Sequence, residues 1–320
     1  MHQLKIWLVL VSVWIILAST YPTIKIAVET IPPVLLVGIK GTFGGLMLLL
    51  IFKIYTFKIE KRENKQNIRH LLTRDHWKLL TIIAIFFVPG SQVLLAYGEQ
   101  YLTSDFSVLV YSTIPIWTIL LGIIFYGLRI NKFTMLGIMI GTIGLVILIY
   151  PSLEELISGN QNTSVRFDLF GILAILIAAI SWSSGSLFSK KAELPKSILL
   201  SSGMWLLIGG LISLVISIII GELDNFELSQ VSLNSFASLL YLATVAKVGL
   251  ATYFWILRKT TATLANTFAY AAPAISVILS WAIFSEAIDL RMLIATIIIL
   301  SGVIIIVNKD RIHTRRAANK

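Results

Sequence analysis

The chain has no cysteine in its 320 residues, and only 13% of them are charged. Without thiols there is no disulfide framework, thiolate metal site or cysteine nucleophile, and redox chemistry is silent on the compartment. Histidine is nearly as scarce. His2, His70, His76 and His313 all fall in the tails or in the stretch 55–77, so no histidine metal site or proton relay is expected inside an apolar segment. Glycine-rich phosphate loops, Ser-His-acid sets and paired carboxylates are also missing from the apolar segments. These absences exclude the usual catalytic machinery: no enzyme activity, cofactor or metal is expected.

What the chain has in quantity is hydrocarbon. Hydrophobic residues make up 57%, and the mean hydropathy is +0.88. A spanning helix needs about 20 apolar residues, so ten would use roughly 200 and leave only short connections. The net charge is +10, and a basic patch on a soluble fold would suggest nucleic acid. In a membrane chain the position of each charge matters more than the sum, and no nucleic-acid partner is expected.

Hydropathy predicts ten helices, at 5–24, 34–54, 78–97, 104–126, 133–150, 168–188, 197–220, 235–255, 263–284 and 290–307. The first is not expected to be a cleaved signal, because the apolar run from Ile6 to Ala18 lacks a small-residue exit and continues through Tyr21, Pro22 and Lys25. Short basic loops stay in the cytoplasm. Of the 26 Lys and Arg, 21 fall on one side of this alternation, in the connections that include 53–78 and in the tail after Lys309. The opposite loops keep Arg166 and Arg291, with Glu29, Glu99, Glu154, Glu155, Glu222, Asp224, Glu227, Glu286 and Asp289 in or beside them. Both termini are therefore expected in the cytoplasm, where the basic face would touch anionic lipid.

A shift of 158 residues lays the third to fifth segments on the eighth to tenth: Thr103 meets Thr261, Pro115 meets Pro273 and Gly144 meets Gly302. Five helices per half is an odd number, so the halves would lie in opposite orientations. That is the inverted repeat of secondary transporters. The expected fold class is an all-α polytopic membrane protein of ten transmembrane helices in two inverted five-helix repeats. Residues 1–150 form the first, with a basic loop at 55–77, and 168–307 the second. They are joined by an outer loop at 151–167 and followed by a basic tail at 308–320.

Motifs recur in order along both copies. The first carries Trp14, the exit from Lys25 to Pro33 with its double proline, Ala96 and Tyr97, Tyr111 to Pro115, then Gly137, Gly141 and Gly144. The second carries Gly171, Trp182, Lys190, Ala251 to Trp255, Asn266 to Pro273, Ser285, Glu286 and Gly302. With these the chain resembles the drug/metabolite transporter superfamily, and within it the ten-helix EamA-type members. Two departures stand out: Lys40 where many members have arginine, and Leu128 in place of the glutamate usual after the fourth helix. The resemblance implies a small-molecule transporter of a bacterial or archaeal cell membrane, working by alternating access and most often outward. A phosphorylated-sugar or nucleotide-sugar exchanger is the alternative within the superfamily, and a membrane sensor or scaffold the alternative outside it.

Lys40 and Lys247 are the two charges that topology does not explain. Each costs about 2.5–3.5 kcal/mol at the centre of a helix in lipid. They are expected either to face a central cavity and attract a substrate carboxylate or phosphate, or to snorkel to the interface. Pro115 and Pro273 remove a backbone hydrogen bond at equivalent depths, so a kink is expected at each, and paired interruptions mark transporter binding sites. Gln92, Tyr97, Tyr111, Trp182, Tyr253, Asn266, Thr267 and Tyr270 are expected to line the cavity beside them. Glu99 and Asp105 are the nearest carboxylates able to carry a proton. The row Gly137-x-x-x-Gly141 and the pair Gly41 and Gly44 are read as packing surfaces, in a monomer or a homodimer.

Overall fold

The computed structural model describes residues 2–63, 73–102, 104–128, 132–157, 163–224, 226–269 and 271–273, and after them positions 275, 279, 290–291, 293–295, 297–298, 301–302 and 305. The described residues are helical, with no strand. In chain order they form α1 (His2–Ala27), α2 (Pro33–Glu63), α3 (Arg74–Phe87), α4 (Leu94–Tyr101), α5 (Ser104–Tyr111), α6 (Ile114–Tyr126), α7 (Lys132–Ile157), α8 (Thr163–Lys191), α9 (Ile198–Ile219), α10 (Leu233–Ala243), α11 (Val245–Lys259) and α12 (Ala262–Ala265). A π turn, Val88–Val93, joins α3 to α4.

Among the described residues six stretches are long and apolar enough to cross a membrane: Leu8–Ala27, Pro33–Thr56, Arg74–Tyr101, Phe170–Lys191, Ile198–Ile219 and Leu233–Lys259. Shorter apolar helices cover Ile114–Tyr126 and Lys132–Gly144. The chain is a multi-pass membrane protein. Its outer faces bear Ile124, Phe125, Val215, Ile218 and Ile219, all exposed, as hydrocarbon solvent requires. The expected segments 263–284 and 290–307 are described only in part.

Four segments expected to be continuous are interrupted. The third becomes α3, the π turn and α4. There Pro89 supplies no N–H, and the Ser181 hydroxyl of α8 donates to the carbonyl of Phe86 at 2.9 Å. The eighth breaks at Thr244, which has φ −114° and ψ −81°. The fourth breaks at Ser112 and Thr113, two residues before Pro115. Rather than kinking one helix, Pro115 falls in the first turn of another, where its missing N–H is one of those the helix leaves without an internal partner. Pro273 lies on helical backbone, and the break in its segment falls earlier, at Asn266 and Thr267.

The packing follows a paired scheme. α1 packs on α10 and α11, just as α8 packs on α3, the π turn and α4, while α2 lies along α9. Small residues allow the last of these. A Cβ on Gly41 would fall 2.9 Å from the Cα of Gly210, and one on Gly45 would fall 2.5 Å from the backbone nitrogen of Leu207. The expected Gly137 and Gly141 surface is occupied within the chain, because a Cβ on Gly302 would meet the Gly137 carbonyl at 2.6 Å and the Gly141 nitrogen at 2.8 Å.

Helix α2 begins at Pro33 against a carboxylate. Glu222 accepts from the backbone N–H of Val34 at 3.1 Å and of Leu35 at 2.7 Å, and from the Ser217 hydroxyl at 2.8 Å. An anion at a helix N-terminus both caps it and complements its dipole. Glu222→Ala is expected to destabilise the protein by about 1–2 kcal/mol, seen as a lower melting temperature in detergent, with Glu227→Ala as the exposed control. Equal melting of the two would remove this role.

Candidate functional site

The interrupted third and eighth segments meet across the bundle through Gln92 and Lys247. Between them a cavity of about 50 Å3 is lined by residues of both halves, among them Tyr21, Lys40, Gln92, Tyr111, Trp182 and Lys247. Both intramembrane lysines thus open on one space. Lys247 is 3% exposed and Lys40 is 1% exposed, so neither snorkels.

Local structure explains how each arrives there. Lys247 sits in the first turn of α11, just past the break at Thr244, with the cavity-lining Ala246 beside it. Its stem needs room, and Gly44 of α2 supplies it: a Cβ there would lie 2.4 Å from the Lys247 Cγ. The ammonium then donates to the Gln92 side-chain oxygen at 3.0 Å. Gln92 belongs to the π turn, which rotates the chain out of α-helical register and aims this amide inward. π turns inside helices occur frequently at functional sites. A neutral amide partners Lys247 but leaves its charge uncompensated. Among the described residues no hydrogen bond from the Lys40 ammonium accompanies it.

The cavity wall is aromatic. Tyr21 and Tyr111 meet edge to face at 5.9 Å, and Tyr111 and Trp182 at 6.2 Å between ring centroids. The Tyr111 hydroxyl pairs with Ser91 at 2.7 Å. Trp182 is held from behind by a polar network. Asn266 Oδ1 accepts from the Trp182 Nε1 at 3.2 Å and from the Tyr253 hydroxyl at 2.7 Å, while its Nδ2 donates to Thr118 at 2.8 Å. Ser186 pairs with Tyr253 at 2.8 Å. Polar groups satisfied in this way fix a side chain's orientation firmly in a low-dielectric interior.

Two further lysines make matching contacts at the ends of the interrupted stretches. Lys25, from the end of α1, donates to the carbonyls of Glu99 at 2.6 Å and Leu102 at 2.9 Å, where α4 ends. Lys190, from the end of α8, donates to the carbonyls of Leu257 at 2.9 Å and Arg258 at 3.2 Å, where α11 ends. A cation at a helix C-terminus satisfies carbonyls left over by the last turn. The 158-residue shift that relates the two halves carries Glu99 onto Leu257.

The same two halves each match one family. Residues 4–150 and again 169–308 match the EamA-like transporter family. The chain belongs to the EamA-like transporter family. Relatives of this EamA-family transporter match along nearly their full length. The uncharacterized inner membrane transporter YedA of Escherichia coli K12 is 26% identical over 93% of this chain and 89% of its own. The uncharacterized transporter YoaV of Bacillus subtilis is 26% identical over 94% and 96%, and protein PagO of Salmonella typhimurium is 25% identical over 95% and 93%. A protein of known crystal structure, at 19% identity, superposes with a TM-score of 0.70 over 96% of this chain and 98% of that one. That likeness is one of fold.

Of the site residues expected from sequence in this EamA-family chain, Lys40, Gln92, Tyr111, Trp182 and Lys247 come together at the cavity. Tyr253, Asn266 and Thr267 do not line it. They are buried, the first two in the network behind Trp182. Tyr97 points away, 40% exposed, and its hydroxyl accepts from that of Tyr101 at 3.2 Å. Tyr270 lies outside the described residues, as does the side chain of Asp105. Sequence reasoning missed Tyr21, Leu17 and Phe268 as lining residues. For α1 a signal existed, because Leu10, Val13, Trp14, Leu17, Tyr21 and Ile24 repeat at helical spacing and are all buried.

Proposed function

We propose that the chain is a ten-helix secondary transporter of a bacterial or archaeal cell membrane, with both termini cytoplasmic. It moves a small amphipathic anion, such as an amino acid or an aromatic carboxylate, by alternating access and in the outward direction usual for the family. The observation that carries this reading is the Lys247 to Gln92 bond. It joins the interrupted third and eighth segments across an aromatic cavity and leaves an ammonium without a counter-anion. Discontinuous helices that meet at a midplane site are how secondary transporters present charge to a substrate.

Three features support the inverted repeat. The family matches twice along the chain. The packing of α1 on α10 and α11 has its counterpart in α8 on α3 and α4. The Lys25 and Lys190 clamps close equivalent helix ends. The cavity in this conformation, about 50 Å3, has room for a few waters, against several hundred Å3 in ligand pockets. It is therefore a nearly closed state, from which either end opens as the halves rock.

A second reading, an exchanger of phosphorylated sugars, draws on both lysines facing one cavity. The apolar lining by Leu17, Ile24, Leu95, Leu242 and Leu250 gives sugar hydroxyls few partners, so the amphipathic anion is preferred. Flux into proteoliposomes decides, with a panel of L-amino acids, aromatic monocarboxylates, sugar phosphates and quaternary amines. Saturable transport of carboxylates that excess phosphate ester leaves intact is expected. Strong competition by phosphate esters favours the exchanger, and transport confined to cations or to nothing overturns the anion reading.

A further inference from the structure

We infer that Glu99 is a proton-binding site that couples proton movement to the anion in the cavity. This rests on the anion-carrier reading above. Glu99 lies in the last turn of α4 and is fully buried, and neither carboxylate oxygen has a hydrogen-bond partner. A structural carboxylate in a protein interior is held by donors or an ion pair, because an unpaired buried charge is costly. This one has neither. Nor does it serve the fold through its side chain, because the Lys25 clamp uses its backbone carbonyl.

Its surroundings have the form of a proton site between two spaces. The charges acting on the carboxylate are Lys40 of α2 and Lys25 of α1, and Tyr21 of α1 feels it in turn. Lys40 and Tyr21 line the cavity, whereas Lys25 is half-buried at the end of the bundle where α1 and α4 finish. From α5, Ser104 and Ser107 present buried hydroxyls without partners. Helix α8, which packs along α4, carries Arg166 and Asp168 in its first turns, their side chains outside the described residues, and Lys190 and Lys191 at its far end. Glu99 therefore lies where α4 packs against α2, which carries the cavity-lining Lys40, and against α1, whose Lys25 holds the Glu99 carbonyl.

Coupling follows from competition for Lys40. When Glu99 is ionised, its carboxylate and an anion in the cavity both draw on the Lys40 ammonium. When Glu99 binds a proton, the carboxylate becomes a neutral carboxylic acid and Lys40 is free for the solute. Nothing else is made or broken. By linkage the anion promotes proton binding as much as the proton promotes anion binding, so proton and anion travel together, outward wherever the solute's own gradient exceeds the opposing proton gradient.

The test uses full-length protein in proteoliposomes loaded with a pH-sensitive dye, with the carboxylate panel as solute. Wild type is expected to accumulate solute when a pH gradient is imposed and to shift the internal pH as solute moves. Glu99→Gln mimics the protonated acid and should bring accumulation down to an inside-to-outside ratio of about one, while solute counterflow continues. Accumulation by Glu99→Gln equal to wild type overturns the proposal, and absence of carboxylate flux in wild type overturns the anion reading instead. An infrared titration in lipid settles the proton site without any solute. Wild type should show a protonated-carboxyl band that Glu99→Gln lacks and Glu99→Asp displaces. Spectra of the three that match at every pH overturn it.

Discussion

Lys247→Met is expected to reduce uptake of carboxylate-bearing solutes into proteoliposomes to the level of protein-free vesicles, while the protein still purifies as a folded species. A charge-assisted hydrogen bond to the solute contributes about 1.5–3 kcal/mol, which corresponds to a loss of roughly 10- to 150-fold in apparent affinity. Stability should move the other way or not at all. The buried ammonium has only a neutral amide as partner, so its removal deletes an uncompensated charge of the kind that costs about 2.5–3.5 kcal/mol in the bilayer. A merely structural lysine would show the opposite pattern, with lower melting and transport lost in proportion to folded protein. Gly44→Ala is the companion variant. Its methyl would fall on the Lys247 Cγ and lie 2.8 Å from the Ala243 carbonyl. It should therefore push the ammonium off Gln92 and weaken uptake without removing any polar side chain. Uptake equal to wild type in Lys247→Met would take this residue out of the site.

The residues that were legible in the sequence are those whose placement costs something in lipid. Lys40 and Lys247 stood out because an apolar helix rejects a charge unless a cavity receives it. Tyr111 and Trp182 stood out through motifs that recur in both copies. What hydropathy could not show is which way a residue faces inside a uniformly apolar segment. Leu95 lines the cavity, and Tyr97, two residues on, lies about 200° further round the helix, which carries it to the outside. Tyr253 and Lys247 are separated in the same way. The 240° between them turns Tyr253 toward Asn266 and Ser186 and away from the cavity.

The breaks were legible in part. Pro115 and Pro89 are visible breakers, but an averaged hydropathy window passes through both, and at Thr244 there is no breaker at all. Tertiary packing sets that interruption, where α10 and α11 both rest on α1. The depth of Glu99 was obscured for a related reason. An apolar segment ending at Tyr97 leaves Glu99 beside the loop, whereas the helix runs on to Tyr101 and draws the carboxylate inside. Lys25 makes this extension favourable, because its ammonium satisfies carbonyls at that end. A polar residue next to a hydropathy boundary is thus placed by the capping partner of its helix, and that partner lies 74 positions away in the chain.

Gly210→Val is expected to remove the folded protein altogether, leaving aggregate on size-exclusion chromatography. A Cβ at Gly210 would lie 2.3 Å from the backbone nitrogen of Thr42 and 2.7 Å from the Gly41 carbonyl carbon. Those are atoms of the α2 backbone, so no rotamer change relieves the clash and the helices must part. On the same crossing Gly45 approaches the backbone of Leu207, and a Cβ on Gly203 would stand 3.1 Å from the Gly45 carbonyl. In lipid no hydrophobic force presses helices together, and close van der Waals packing of small residues holds them instead. Separation of α2 from α9 therefore has little to offset it, and overpacking with three extra carbons should exceed about 3 kcal/mol. Gly210→Ala should give a weaker form of the same defect, and Ile218→Ala, on an exposed side chain, none. The crossing also lies beside the site, because Lys40 precedes Gly41. Where Gly210→Ala still folds, it should shift Lys40 and lower carboxylate uptake beyond its loss of folded protein. A Gly210→Val protein that melts and transports like wild type would show that α2 and α9 part freely and that the glycine contact is not what holds them together.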